Sequence, residues 1–147
     1  MKEEFMERAL ILAREAYNND EVPVGAVIVK DGKIIGEGYN RREEKQNALS
    51  HAETEAINDA CKNIKSWRLD GCDIYVTLEP CPMCAGAIIN SRIRNVYIGT
   101  ADKNGGAVGS ITNLFEFPFF SRPAFFYGIK EKECADILKE FFDNLRF

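Results

Sequence analysis

The chain has 147 residues, of which 46% are hydrophobic and 29% charged, and its formal net charge is −4 at pH 7. These values are typical of one folded domain; they exclude a disordered or fibrous chain, and the acidic balance argues against a general nucleic-acid binder, which usually carries a basic face. No stretch approaches the roughly 20 apolar residues of a membrane helix and the N-terminus does not resemble a secretory signal, so we expect a cytoplasmic protein with no membrane partner.

The hydrophobic pattern predicts an ordered series of helices and strands. Apolar residues at spacings of three and four from Phe5 to Ala16 predict an amphipathic helix. Strands at 24–29 and 34–39 follow, joined by a tight turn at Asp31 and Gly32. The remaining predictions are a helix at 51–64, a strand at 72–78, a helix at 81–89, a strand at 94–99, a loop at 103–109, a strand at 125–129 and a helix at 131–145. This order predicts an α/β fold with a mixed sheet covered by helices on both faces.

A histidine and a Cys-x-x-Cys pair are candidate metal ligands. His51 is the only histidine of the chain, and a lone histidine is more often structural than a ligand. Cys81 and Cys84 lie three residues apart, so a helix would place both thiols on one face. Imidazole and thiolate are preferred zinc ligands, and three protein ligands leave a fourth position open for water. Buried small side chains or a redox-active pair are the alternatives for the cysteines.

Glu53 is the candidate proton-transfer group. His51 and Glu53 form an H-x-E motif, and residues 80–84 read Pro-Cys-Pro-Met-Cys, which together match the signature of zinc nucleobase deaminases. A carboxylate beside such a metal can take a proton from water and return it to departing ammonia. The alternative is a helix capping box, because Ser50 precedes Glu53 by three residues.

Several segments outside this signature also match a known family. They read VPVGAV at 22–27, GEGYNR at 36–41 and TLEPCPMCAGA at 77–87. With them the chain resembles, over nearly its whole length, the bacterial tRNA-specific adenosine deaminase family of the cytidine deaminase superfamily. The resemblance implies a single zinc-dependent deaminase domain over 1–147, with a three-layer cytidine-deaminase-like fold and a mixed five-stranded sheet. It also implies one Zn²⁺ per subunit, a homodimer, and conversion of adenosine to inosine at the wobble position of a tRNA anticodon loop.

The resemblance also assigns residues to the substrate. It implies that Asn40 hydrogen-bonds the target base and that Asp102 lies near the sugar of the target nucleotide. The residues that it places around the base are Val24, Gly25, Ala26 and Ala52. The alternatives are a turn cap for Asn40, plain strand for residues 24–26 and a turn residue at Asp102.

The segment 119–123 departs from the family pattern. It reads Phe-Phe-Ser-Arg-Pro, where the family usually has an Asn-His pair that helps to hold the anticodon loop. A free base or nucleoside of the guanine or cytosine type is therefore the alternative substrate. A non-catalytic zinc module is a third interpretation. The candidate phosphate contacts are Arg41, Arg42, Arg92, Arg94 and Lys103. We expect the aromatic residues between Phe115 and Tyr127 to pack in a core or dimer contact and not to stack on bases.

Overall fold

The computed structural model describes residues 1–145, so the last two residues of the expected domain lie outside it. Its elements are α1 (Glu3–Asn18), β1 (Gly25–Lys30), β2 (Lys33–Tyr39), α2 (Arg42–Lys45), α3 (Ala52–Ile64), β3 (Asp73–Leu78), α4 (Pro82–Ser91), β4 (Asn95–Thr100), β5 (Ala124–Phe126) and α5 (Glu131–Asp143). A 3-10 helix at Leu114–Glu116 precedes β5. No helix within residues 1–145 is long and apolar enough to cross a membrane.

The five strands form one mixed sheet in the order β2-β1-β3-β4-β5. The β2-β1 and β1-β3 pairings are antiparallel, whereas β3-β4 and β4-β5 are parallel. The turn between β1 and β2 has positive φ at both Asp31 (51°) and Gly32 (77°), as a two-residue hairpin turn requires. The predicted mixed five-stranded sheet and its opening hairpin are confirmed.

Helices cover both faces of the sheet because successive strand residues point to opposite sides. Ala26 and Ile28 of β1 pack in one core with residues of α3 and α4. Val27 and Val29 of the same strand pack in the other core with residues of α1 and with Cys134 of α5. The predicted three-layer fold is therefore confirmed.

One edge of this sheet collects the ends of four strands. Gly25 at the start of β1 pairs with Tyr39 at the end of β2, and Leu78 at the end of β3 pairs with Thr100 at the end of β4. The antiparallel pairing of β1 with β3 brings both sets to the same side. Residues just before β1 and just after β2, β3 and β4 therefore lie close together.

Two local features differ from the prediction, and a third prediction is confirmed only in part. The four-residue helix α2 was not predicted. The last strand ends at Phe126, not at residue 129, because Gly128 has φ 85° and turns the chain toward α5. Of the aromatic residues expected to pack, Phe115 is buried, whereas Phe117, Phe119, Phe120, Phe125, Phe126 and Tyr127 are between 36% and 85% exposed. Packing in the chain's own core is thus confirmed for Phe115, whereas a dimer contact of the exposed residues stays a prediction.

Candidate active site

A cluster of three metal-ligating side chains lies at the strand-end edge of the sheet. His51 is the residue that precedes α3 and Cys81 the residue that precedes α4, while Cys84 lies in the first turn of α4. Nδ1 of His51 is 3.6 Å from Sγ of Cys81 and 3.6 Å from Sγ of Cys84. All three ligand atoms lie within 4.8 Å of one another. The structure therefore brings together the three residues predicted as ligands.

The three side chains shift one another's pKa values. Hydrogen bonds with Cys84 and His51 lower the pKa of Cys81 to about 4, which makes it a thiolate at neutral pH. The hydrogen bond with Cys81 raises the pKa of Cys84 and also that of His51. Because a metal binds the deprotonated thiol, cation binding here would release the proton that Cys84 retains.

Glu53 lies in the first turn of α3 and is 4% exposed. Burial raises the pKa of its carboxyl to about 7, a value suited to taking up and releasing a proton near neutral pH. The helix cap that the spacing of Ser50 and Glu53 suggested is formed differently. The hydroxyl of Thr54 accepts the backbone N–H of His51 at 3.1 Å, so Glu53 is not needed as the capping residue.

A cavity of about 130 Å³ opens beside the cluster. Its lining combines apolar side chains with the metal-ligating and carboxylate groups and consists of Val22, Val24, Asn40, Arg42, His51, Ala52, Glu53, Leu78, Glu79, Cys81 and Asp102. Four of the predicted substrate residues, Val24, Asn40, Ala52 and Asp102, are among them. The cavity thus combines an apolar wall of Val22, Val24, Ala52 and Leu78 with polar and ionisable groups that can orient a small molecule.

The two polar substrate candidates also have local structural roles. The side-chain nitrogen of Asn40 donates to the carbonyl of Val22 at 3.2 Å, and its oxygen accepts the N–H of Arg42 at 3.3 Å. One oxygen of Asp102 accepts the N–H groups of Asn104 and Gly105 at 3.1 and 3.2 Å. Both residues therefore shape a turn and line the cavity at once.

Gly25 and Ala26 lie in β1, outside the cavity lining. A Cβ at Gly25 would come within 2.0 Å of the carbonyl oxygen of Ala9, so this position faces α1. Ala26 is fully buried in the core under α3 and α4. The residue that reaches the cavity is Val24, because it precedes the strand.

Val22, Leu78 and Glu79 line the cavity although they were not predicted to do so. Leu78 is the last residue of β3 and Glu79 follows it, two residues before Cys81. This position in the chain was an available signal. Arg42, predicted only as a phosphate contact, is exposed at the same cavity.

Comparison with known proteins identifies the family. A family model described as MafB19-like deaminase matches residues 1–146. A tRNA-specific adenosine deaminase of Bacillus subtilis (strain 168) is 44% identical over 143 residues, which cover 97% of this chain and 89% of that protein. The chain belongs to the tRNA-specific adenosine deaminase family. This membership confirms the resemblance that the motifs indicated. The chain is therefore a deaminase.

Solved structures agree with the fold. One, from a study of A-to-I editing by tRNA:A34 deaminases at the wobble position of transfer RNA, has a TM-score of 0.90 and 46% identity and covers 92% of this chain and 99% of that one. A guanine deaminase of Bacillus subtilis is also similar, with a TM-score of 0.67 and 34% identity over 100% of this chain and 99% of that one. The cytidine-deaminase-like fold is therefore shared by enzymes with different substrates.

Proposed function

We propose that this chain is a zinc-dependent hydrolytic deaminase that converts adenosine to inosine at the wobble position of tRNA. The observation that carries the proposal is the group formed by His51, Cys81, Cys84 and Glu53 at a cavity, in a chain of this family. We also propose that residues 1–147 act as one deaminase domain and that the protein works in the cytoplasm, because its proposed substrate is there.

The donor set fits zinc. Zn–N bonds of about 2.0 Å and Zn–S bonds of about 2.3 Å in a tetrahedron separate nitrogen from sulfur by about 3.5 Å, and both sulfur atoms lie 3.6 Å from Nδ1 of His51. One imidazole and two thiols occupy three positions, so a fourth stays available. A zinc ion held by His51, Cys81 and Cys84 would supply a water molecule whose pKa is lowered toward about 7.

Glu53 moves the protons of the proposed reaction. Its carboxylate takes a proton from the water that attacks the carbon bearing the exocyclic amine. It delivers this proton to the ring nitrogen, then takes the proton of the newly formed hydroxyl group and passes it to the amine, so that the carbon–nitrogen bond breaks and ammonia leaves. Oxygen from water replaces the amine as a carbonyl group. The pKa of Glu53, raised to about 7 by burial, supports this alternation between acid and base.

The cavity walls orient the base in this proposal. Val24 and Ala52 provide apolar contact, and Asp102 lies near the sugar of the nucleotide. After its two internal hydrogen bonds the amide of Asn40 retains one N–H and one oxygen lone pair. These free positions can pair with an edge of the base. Gly25 and Ala26 do not line the cavity. We propose that they shape it indirectly, because they continue β1 directly after Val24.

The tRNA substrate is supported by the relatives and by the exposed Arg42 at the cavity. Two of the other basic candidates form ion pairs within the chain, Arg41 with Glu44 and Arg94 with Asp73. The test uses an anticodon stem-loop with adenosine at the wobble position and an otherwise identical one with guanosine there. Inosine should form only in the first. No inosine from it at high concentrations of zinc-loaded enzyme would overturn the proposal.

A free-base deaminase is the second candidate function. It is favoured by the similarity to a guanine deaminase at 34% identity and by the Phe-Phe-Ser-Arg-Pro segment at 119–123. Ammonia release from guanine, cytosine and their nucleosides tests it on the same enzyme preparation. Release from a free base without inosine formation in the stem-loop would select this function.

We further propose a homodimer. Six aromatic side chains between residues 117 and 127 are exposed on the single chain, and exposed apolar side chains in such number often mark protein contacts. A second copy of the chain is the partner that the family resemblance implies.

A further inference from the structure

Glu79 is a buried carboxylate that the proposed mechanism does not use. It is 2% exposed and follows the last residue of β3, two residues before Cys81. It also contributes to the cavity lining. A carboxylate in such a place requires polar partners, because an unpaired buried charge is strongly unfavourable.

Four hydrogen-bond donors reach it from one segment, residues 102–110, which we call the 102–110 loop. The carboxylate accepts the backbone N–H groups of Asp102 at 3.0 Å, Val108 at 3.0 Å and Ser110 at 3.1 Å. The hydroxyl of Ser110 donates to it as well. Buried backbone N–H groups need partners, and in this loop a single side chain supplies three of them.

The loop also fits closely around the carboxylate. A Cβ at Gly106 would lie 2.2 Å from the carboxyl carbon of Glu79, so a side chain at this position would displace either the loop or the carboxylate. The N–H of Ala107 donates to the carbonyl of Pro80 at 2.9 Å. The loop is therefore tied twice to the segment that leads into Cys81.

Asp102 connects this arrangement to the substrate cavity. Its backbone N–H is held by Glu79 and its side chain lines the cavity. We propose that Glu79 is a positioning residue that fixes the 102–110 loop, and with it Asp102, in the shape that binds the substrate nucleotide. The identity of the substrate in this inference rests on the proposed function. The positioning role of Glu79 rests only on its contacts with the loop.

Two variants test the role of Glu79 in the full-length, zinc-loaded protein. Glu79→Gln keeps the volume but places an amide N–H₂ group against backbone donors, and Gly106→Ala keeps the carboxylate but obstructs the loop. In both we expect KM for the adenosine stem-loop to rise by about tenfold or more, equivalent to ~1.4 kcal/mol of binding, with kcat within about threefold of the unmodified chain. Zinc content should be unchanged. Amide hydrogen exchange should accelerate at residues 102, 108 and 110 but not in α4.

The control is Glu140→Gln, which makes the same replacement on α5, where Glu140 pairs with Arg14 on the other face of the sheet. It should leave KM and loop exchange unchanged. A purely structural role for Glu79 predicts a different result: zinc loss, faster exchange across the sheet, and a kcat reduced with the folded fraction at constant KM. That result, or unchanged KM and unchanged loop exchange, would overturn the inference.

The two proposals are judged separately. Turnover by the unmodified chain decides which substrate is correct, and the ratio of variant to unmodified chain is measured on whichever substrate it deaminates. If the stem-loop is not deaminated, a KM ratio measured on a free base, together with loop exchange, decides the role of Glu79.

Discussion

Glu53 shows how a single side chain acquires its chemistry from its surroundings. Its carboxyl group is buried in the first turn of α3, next to the helix start that carries His51. Burial raises its pKa to about 7, whereas Glu55, two residues further along, pairs with Lys45 near the surface. The same residue type on one helix is therefore prepared for two different tasks.

Replacing Glu53 tests its assigned task. Glu53→Gln keeps size and hydrogen-bonding capacity but cannot exchange a proton, so kcat for inosine formation should fall by roughly 10²–10⁴-fold. Zinc content measured by mass spectrometry should stay the same, because Glu53 is not one of the three ligand residues. Glu55→Gln is the matched control and should retain activity. An unchanged kcat for inosine formation in Glu53→Gln would contradict the proposed proton-transfer role of Glu53.

Among single residues, the sequence predicted those whose role follows from a local motif. Cys81 and Cys84 lie three residues apart at the start of α4, so their spacing largely determines their geometry, whereas the sheet brings His51 at the start of α3 to them. Gly25 was assigned to the pocket, but which way a strand residue faces depends on the whole sheet. The role of Glu79 was missed because its partners lie 23 to 31 residues further along the chain.

Among the elements, α3 and β2 determine how His51 meets the sheet. A Cβ at Gly38 would lie 2.4 Å from the carbonyl oxygen of Ala52, at the start of α3. The absence of a side chain therefore lets the helix rest directly on the strand. This contact holds the first turn of α3 beside the cavity.

Adding one methyl group at this contact should be costly. Gly38→Ala is expected to lower the free energy of unfolding by about 1–3 kcal/mol through overpacking and to reduce zinc occupancy, since His51 moves with α3. Gly86→Ala in α4 is the comparison, because a Cβ there meets nothing within 4 Å. It should stabilise the helix by about 0.5–1 kcal/mol. Urea unfolding measures the change in the free energy of unfolding for each variant. Equal changes in the two variants would contradict the close contact between Gly38 and α3.

Long periodic elements were predictable, and elements held by distant contacts were not. α1 and the hairpin follow from hydrophobic spacing and from the Asp31 and Gly32 turn. α2 has only four residues, too few for a periodic pattern. Its first turn is held by Glu21, whose carboxylate accepts the N–H groups of Glu43 and Glu44 at 3.1 and 2.8 Å. Such a contact becomes visible only in three dimensions.

For the molecule as a whole, the exposed aromatic residues support the proposed homodimer. Phe120 is 85% exposed and lies under the guanidinium of Arg92, 5.2 Å from its ring centre. Sedimentation equilibrium should give twice the mass of the chain, as expected for a homodimer. Phe120→Asp should weaken the dimer, whereas Phe142→Asp, on α5 and 52% exposed, should not. A monomer at micromolar concentration would contradict the proposed homodimer.

Zinc titration of the metal-free protein tests the central claim most directly. The protein is stripped with a chelator, and inosine formation in the adenosine stem-loop is followed as zinc is returned. Activity should rise with added zinc and saturate at one equivalent per chain. Cys84→Ala should bind no stoichiometric zinc and form no inosine, while Cys61→Ala, outside the cluster, should behave like the unmodified chain. Inosine formation by the stripped protein, or full activity of Cys84→Ala, would contradict the claim.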